Sequence, residues 1–271
     1  MLLVPRQLVL FLVATQFLTR LPTPALAGFQ SSWLSQSTRY FPLVGVLVGV
    51  INVGIWWLLA HWLPAAVSVG LMLAASLLMT GAFHEDGLAD ACDGFGGGMT
   101  TDRVLAIMKD SRIGAYGAIG IFVVLGLKWT ALVAIPPAAF PLFVVGAHMF
   151  SRWCASGLIW RLRYVRIDRD AIAAPFADNL SAWEWILSGM LGVAGIVPLA
   201  VACVNISGGF EGWALLAAAI AAAIAAVIAA AYFRRRIGGY TGDCLGAVQQ
   251  LSELAFLLAG LAVLGPARRV A

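Results

Sequence analysis

Residues 40–84 read YFPLVGVLVGVINVGIWWLLAHWLPAAVSVGLMLAASLLMTGAFH, and no Asp, Glu, Lys or Arg interrupts them between Arg39 and Glu85. A helix rising 1.5 Å per residue needs about 20 apolar residues to cross a hydrocarbon core about 30 Å thick. The stretch is therefore long enough for two crossings, with a turn at His61 to Pro64. The whole 271-residue chain agrees, being 62% hydrophobic and 11% charged, less than half the charged share of an ordinary soluble domain. This composition excludes a disordered chain and a soluble globule. It leaves an all-α, polytopic integral membrane helix bundle in contact with the lipid bilayer.

Outward from that stretch, windows of about 20 residues find apolar segments near 40–61, 65–83, 115–135, 138–160, 186–206 and 212–233, with a weaker one near 245–265. The expectation is roughly six or seven spanning helices in a single membrane domain, 1–271. Arg6, the apolar run Leu8 to Leu18 and Ala25-Leu26-Ala27 imitate a secretory signal. Arg20, Pro22 and Pro24 intervene between the run and the supposed cut, which suits a retained interfacial or re-entrant N-terminal helix better. The Ala-rich run Ala214 to Ala231 reads as a helix with close neighbours, because small side chains let helix backbones approach in lipid.

Three polar stretches, 84–112, 161–184 and 234–244, hold most of the charges, and those near 84–112 and 234–244 are expected to be active-site loops that follow complete spans. Counting crossings puts all three on one face, and the intervening turns at 61–64, 136–137 and 207–211 contain no Lys or Arg. By the positive-inside rule that face is cytoplasmic, which predicts a multi-pass protein of the bacterial cytoplasmic (inner) membrane. The net charge of +4 fits orientation in a membrane. No aromatic-basic stripe accompanies it, so no nucleic-acid partner is expected. Cys92, Cys154, Cys203 and Cys244 lack C-x-x-C spacing and read as free thiols.

The densest chemistry is Gly81-Ala82-Phe83-His84-Glu85-Asp86-Gly87-Leu88-Ala89-Asp90-Ala91-Cys92-Asp93-Gly94. On a helix, Asp86, Asp90 and Asp93 at i, i+4 and i+7 point within about 40° of one another. Three like charges so placed repel, and a hard cation such as Mg²⁺ or Mn²⁺ relieves that repulsion; the alternative is a solvated acidic loop. His84 suits a base, a donor behind the metal or a helix-end residue. Downstream, Arg103, Lys109 and Arg112 add cations able to clamp phosphate oxygens, with Asp110 and Ser111 between them. Ordinary snorkelling of Lys109 and Arg112 is the alternative. The stretch Gly238-Gly239-Tyr240-Thr241-Gly242-Asp243-Cys244-Leu245-Gly246-Ala247 offers glycines for close backbone approach and one acid, Asp243. Gln250 shares its helical face, and Glu253 is an ionisable group inside an apolar segment. Arg152, also within an apolar segment, either snorkels or faces the bundle as a phosphate or carboxylate partner.

These blocks, with Leu18-Thr19-Arg20-Leu21-Pro22-Thr23-Pro24, Phe41-Pro42-Leu43-Val44-Gly45 and Ile107 to Gly117, resemble the adenosylcobinamide-GDP ribazoletransferase (cobalamin synthase) family over most of the chain. The acidic pattern is also similar, in part, to that of CDP-alcohol phosphotransferases, although the spacing after Asp93 differs. The resemblance implies a Mg²⁺-dependent enzyme that joins adenosylcobinamide-GDP to α-ribazole, or its 5′-phosphate, and releases GMP. It implies Asp86, Asp90, Asp93 and Asp243 as metal ligands, and catalytic roles among His84, Glu85, Lys109 and Arg112. Arg103, Asp110, Ser111, Arg152, Gly242, Gln250 and Glu253 are then candidates for substrate binding. Association as a homo-oligomer or with other corrinoid-pathway enzymes is compatible with it. The rival reading from another class is an ion-coupled secondary transporter of a polar solute, whose acids should lie near the membrane midplane. A purely structural scaffold would have no use for a repelling acidic triad.

Overall fold

The computed structural model describes residues 5–26, 28–165, 180–207 and 212–265, with the backbone alone at 203–207. Among these residues every regular element is helical. Six helices are long and apolar enough to cross a membrane. They are α3 (Phe41–Ala60), α7 (Ala115–Ala134), α8 (Phe140–Arg161), α9 (Ala182–Ser207), α10 (Gly212–Ile237) and α11 (Gly242–Leu264). Beside them, α4 (Ala65–Thr80) and α5 (Phe83–Gly97) form a pair bent by 88°, the geometry of a broken span or a re-entrant loop. The expected spans match these helices to within a few residues, and the weak one near 245–265 is a full helix of 23 residues.

The N-terminal α1 (Arg6–Leu18) has 13 residues, too few to cross. It packs against the bundle through buried Leu10, Val13, Ala14 and Leu18, with the Phe17 ring stacked on Phe41 at 5.8 Å. A short α2 (Ser31–Ser37) and one 3-10 turn (Thr38–Tyr40) lead into α3.

The hub is α8: 83% of its apolar window is buried inside the protein, against 28% for α7 and α10, whose remaining faces are left to lipid. Close packing follows from small residues. Gly45 and Gly49 bring α3 so near α8 that a Cβ at either would lie under 3 Å from the backbone at His148 and Val145, the small-xxx-small device of membrane helices. In α10, Ala214, Ala218, Ala222, Ala226 and Ala229 make one buried stripe. Against it, Ser252 of α11 donates to the Ala222 carbonyl at 3.2 Å. The Ala-rich run is thus a packed helix, as its composition predicts.

One expectation is corrected. The stretch 84–112 is not a loop after a complete span at 65–83: α4 stops at Thr80, and most of the acidic block is helix α5, followed by α6 (Thr101–Met108). With 16 residues, α4 rises only about 24 Å. It ends in a Schellman closure, Ala82 N–H to Leu77 O at 2.8 Å and Gly81 N–H to Leu78 O at 3.3 Å, with Gly81 left-handed at φ 67°. Ala82 is also left-handed at φ 54°, an arrangement that costs a non-glycine residue about 1–2 kcal/mol. The Leu18 to Pro24 block holds this corner. Arg20 donates its backbone N–H to Met79 O at 2.7 Å, and its side chain lies where a Cβ at Gly81 would be. The third polar stretch, 234–244, is likewise mostly helix, the end of α10 and the start of α11. Hydropathy separates apolar from polar but cannot see that Leu88, Ala91 and Phe95 give the acidic block an apolar face of its own.

Candidate active site

The acidic helix presents its carboxylates unequally: Asp86 is exposed, Asp90 half-buried and Asp93 buried. Asp93 turns away to α7, where its two oxygens accept the backbone N–H groups of Gly114 at 2.7 Å and Gly117 at 2.8 Å. Those are orphan donors of a helix N-terminus, so Asp93 caps α7 and complements its dipole. The spacing that groups it with Asp86 and Asp90 carries no sign of this capping contact.

The fourth expected ligand arrives from the far end of the chain. Gly87 of α5 and Gly246 of α11 cross so closely that a Cβ at Gly246 would sit 2.9 Å from His84 O, and one at Gly87 would sit 3.1 Å from the Asp243 backbone. Glycine is required at this crossing for space. Its absence of side chains is what brings Asp243 beside the Asp86–Asp90 turn of α5. Asp243 is half-buried and accepts from Thr241 Oγ1 at 3.2 Å, while the same hydroxyl accepts from Cys244 N at 3.3 Å. Thr241 is thus the N-cap of α11, which relieves Asp243 of that role.

The polar stretches are clasped together at this end of the bundle. Arg236 donates to Gly98 O at 2.6 Å and its carbonyl accepts from Thr101 Oγ1 at 3.0 Å. Tyr240 and the 163–165 segment pair as a short parallel bridge, Tyr240 N–H to Arg163 O at 2.9 Å and Val165 N–H to Tyr240 O at 3.0 Å. Arg166 and Arg169 lie outside the described residues. Gly242 opens α11, and Arg103, Lys109, Ser111 and Arg112 are exposed. Arg112 forks onto Asp110, with Nε–Oδ1 at 3.0 Å and Nη2–Oδ2 at 2.6 Å. The guanidinium holds the Asp110 carboxyl down to about 2.

His84, Glu85, Arg152, Gln250 and Glu253 are placed differently from these exposed residues. All are buried, and Arg152 faces the bundle rather than snorkelling. They meet four residues the sequence reading did not single out, Lys128, His148, Ser151 and Gln249. Lys128 Nζ pairs with Glu253 Oε1 at 2.6 Å, His148 Nδ1 lies 3.4 Å from Glu253 Oε2, and Gln249 reaches Ser151 Oγ at 3.1 Å. The signal that flags Glu253 and Arg152, an ionisable group inside an apolar span, applies equally to Lys128 and His148. His84 and Arg152 also wall a second cavity of about 40 Å³ with Phe17, Phe41, Phe83 and Leu245. Cys154 and Cys244 are buried thiols and Cys92 a half-buried one, all three free.

Among the described residues no three His, Cys, Asp or Glu side chains converge tightly enough to hold a metal by themselves. Mg²⁺ does not require that: it keeps several waters and is commonly held by one or two carboxylates plus substrate phosphates. Asp86, Asp90 and Asp243, hard oxygen donors from two touching helices, fit such a site. Asp93 faces α7 instead, each of its oxygens accepting one backbone N–H.

Fold and site together define a polytopic α-helical membrane protein with an acidic helix set against a glycine-rich helix start at one end of the bundle. The chain belongs to the cobalamin-5-phosphate synthase family, whose model matches residues 10–261. It is 43% identical over 257 residues to the adenosylcobinamide-GDP ribazoletransferase of Leptothrix cholodnii, covering 93% of this chain and 95% of that one. To the protein of the same name from Shewanella frigidimarina it is 42% identical over 262 residues, 95% and 96% of the two chains. The relative from Shewanella sp. (strain ANA-3), also so named, is 41% identical over 252 residues, 92% of each. None of the three bears a transporter's name. No solved structure matches the chain.

Proposed function

We propose that the protein joins adenosylcobinamide-GDP to α-ribazole, or to its 5′-phosphate, and releases GMP, the nucleotide-loop assembly step of coenzyme B12 synthesis. The observation that carries this reading is the Gly87–Gly246 crossing, which sets the acids of α5 beside Asp243. In the reaction a ribose hydroxyl oxygen attacks the cobinamide-side phosphorus in line. The bond from that phosphorus to the bridging oxygen breaks, and the bridging oxygen leaves on GMP. Such a transfer asks mainly for positioning and charge neutralisation.

Asp86, Asp90 and Asp243 would hold Mg²⁺, which when bound supplies neutralisation of the pyrophosphate charge. One of these carboxylates or His84 takes the proton of the attacking hydroxyl. Lys109 and Arg112 bind phosphate oxygens at the mouth, Arg112 exchanging Asp110 for the substrate, and Arg103 and Ser111 flank them. By the positive-inside rule the mouth faces the cytoplasm of the inner membrane. The test is GMP release by the purified full-length protein supplied with adenosylcobinamide-GDP and α-ribazole, with Mg²⁺ and with chelator. Release that is independent of the ribazole, or undiminished by chelation, would refute the transfer and the metal site respectively.

A further inference from the structure

Beneath the α5–α11 crossing lies a set of buried charges and amides that the transfer itself does not touch. Lys128, 3% exposed, donates to Glu253 Oε1 at 2.6 Å and to Gln250 Oε1 at 2.9 Å. Gln250 Nε2 in turn donates to Glu85 Oε1 at 2.8 Å and to Gln249 Oε1 at 2.7 Å. Gln249 Nε2 closes the circuit on Glu253 Oε2 at 2.6 Å. An ammonium has donors only, so it fixes which end of the Gln250 amide faces it and forces the amide nitrogen towards Glu85. In a span where an unpartnered polar group is costly, each member then has one orientation.

Glu85 directly precedes Asp86, and both lie in the first turn of α5, three and four residues after the left-handed corner at Ala82. A side chain pinned there fixes the rotation of that turn about its axis. The other Glu85 oxygen, Oε2, and Arg152 Nε are buried without a hydrogen-bond partner among the described residues. Both residues line one cavity of about 20 Å³, room for a single water that could accept from one and donate to the other.

We propose that Lys128, acting through Gln250 on Glu85, is a positioning residue: it sets the rotation of the first turn of α5 and so the aim of Asp86 and Asp90 at the mouth. This rests on the proposed function for its kinetic readout alone, because amide hydrogen exchange reads the same device without substrate. Gln250→Leu removes both ends of the link while keeping the Lys128–Glu253 pair. It is expected to lower kcat by about 10-fold or more with KM for both substrates changed less than about 2-fold, and to speed exchange at the 84–90 amides selectively. Lys128→Met alone leaves Glu253 buried with only Gln249 and His148 against it and is expected to destabilise the protein strongly. Lys128→Met with Glu253→Leu should recover the melting midpoint yet keep the kcat loss, since Gln250 still lacks its donor. Wild-type kcat in Gln250→Leu, wild-type kcat in the folded double variant, or exchange that rises equally in every helix would overturn the proposal and leave the network a plain brace. If the wild-type protein releases no GMP, the functional reading falls instead, and exchange at 84–90 still decides this one.

Discussion

At the residue scale, Asp93 of α5 has a structural task at the start of α7. Asp93 is spent on Gly114 and Gly117, so Asp93→Ala is expected to cost about 1–2 kcal/mol of stability by uncapping α7. The enzyme that remains folded should keep its Mg²⁺ dependence. Asp86→Asn and Asp90→Asn should abolish GMP release, because each removes a charged donor without altering shape. Melting curves beside turnover check the division, which fails if all three variants behave alike. Asp110 adds a pH prediction. Its folded pKa is lowered to about 2 by the Arg112 fork, so the pair is complete above the ordinary carboxylate pKa near 4 and dissolves only as pH falls through about 2. The shape of the activity profile from about pH 5 to 8 should therefore be the same in Asp110→Asn. A displaced acidic limb in that variant would assign the limb to Asp110.

At the element scale the decisive contact is between helices distant in sequence. A methyl at Gly246 would meet His84 O at 2.9 Å and Gly87 Cα at 3.1 Å, and backbone cannot swing aside as a side-chain tip can. Gly246→Ala is expected to push α11 off α5, costing about 1–3 kcal/mol and most of the turnover. Gly54→Ala, where a Cβ meets nothing within 4 Å, is the control, and equal losses in both would remove the crossing from the argument. If the crossing builds one site, Asp86→Asn and Asp243→Asn must also be non-additive: in a site already disabled, the second change should cost little more. Independent, multiplicative losses of GMP release would separate the two helices functionally.

At the scale of the whole molecule, the clasp among 98–101, 163–165 and 236–240 holds the polar stretches at one end of the bundle, the arrangement that span counting predicts. Single cysteines in place of Asp102 and Arg235 should then be shielded from an impermeant reagent in intact cells. Cysteines in place of His61 and Ala138 should react. Labelling of the first pair from outside would invert the sidedness and take the cytoplasmic site with it.

Composition and hydropathy determined by themselves that this chain is a bundle of membrane helices, where those helices lie, and that its charges gather in the acidic block, the basic stretch after it and the other polar stretches. Those are local properties: a window of 20 residues either can or cannot rest in hydrocarbon, and charge must gather outside it. The membership of the site depended on contacts that no window contains. Asp93 looks equivalent to Asp86 and Asp90 at helical spacing, and only the arrival of the α7 N-terminus at 2.7 Å and 2.8 Å gives it a capping contact of its own. Asp243 looks like a helix cap until Thr241 is seen to do that work. Lys128 and Glu253 are two costly residues 125 positions apart whose burial becomes tolerable only once tertiary packing makes each the other's partner at 2.6 Å. The right-angle corner before α5 was equally hidden, because hydropathy reports how apolar a segment is and says nothing about the left-handed backbone at Gly81 and Ala82 that turns it.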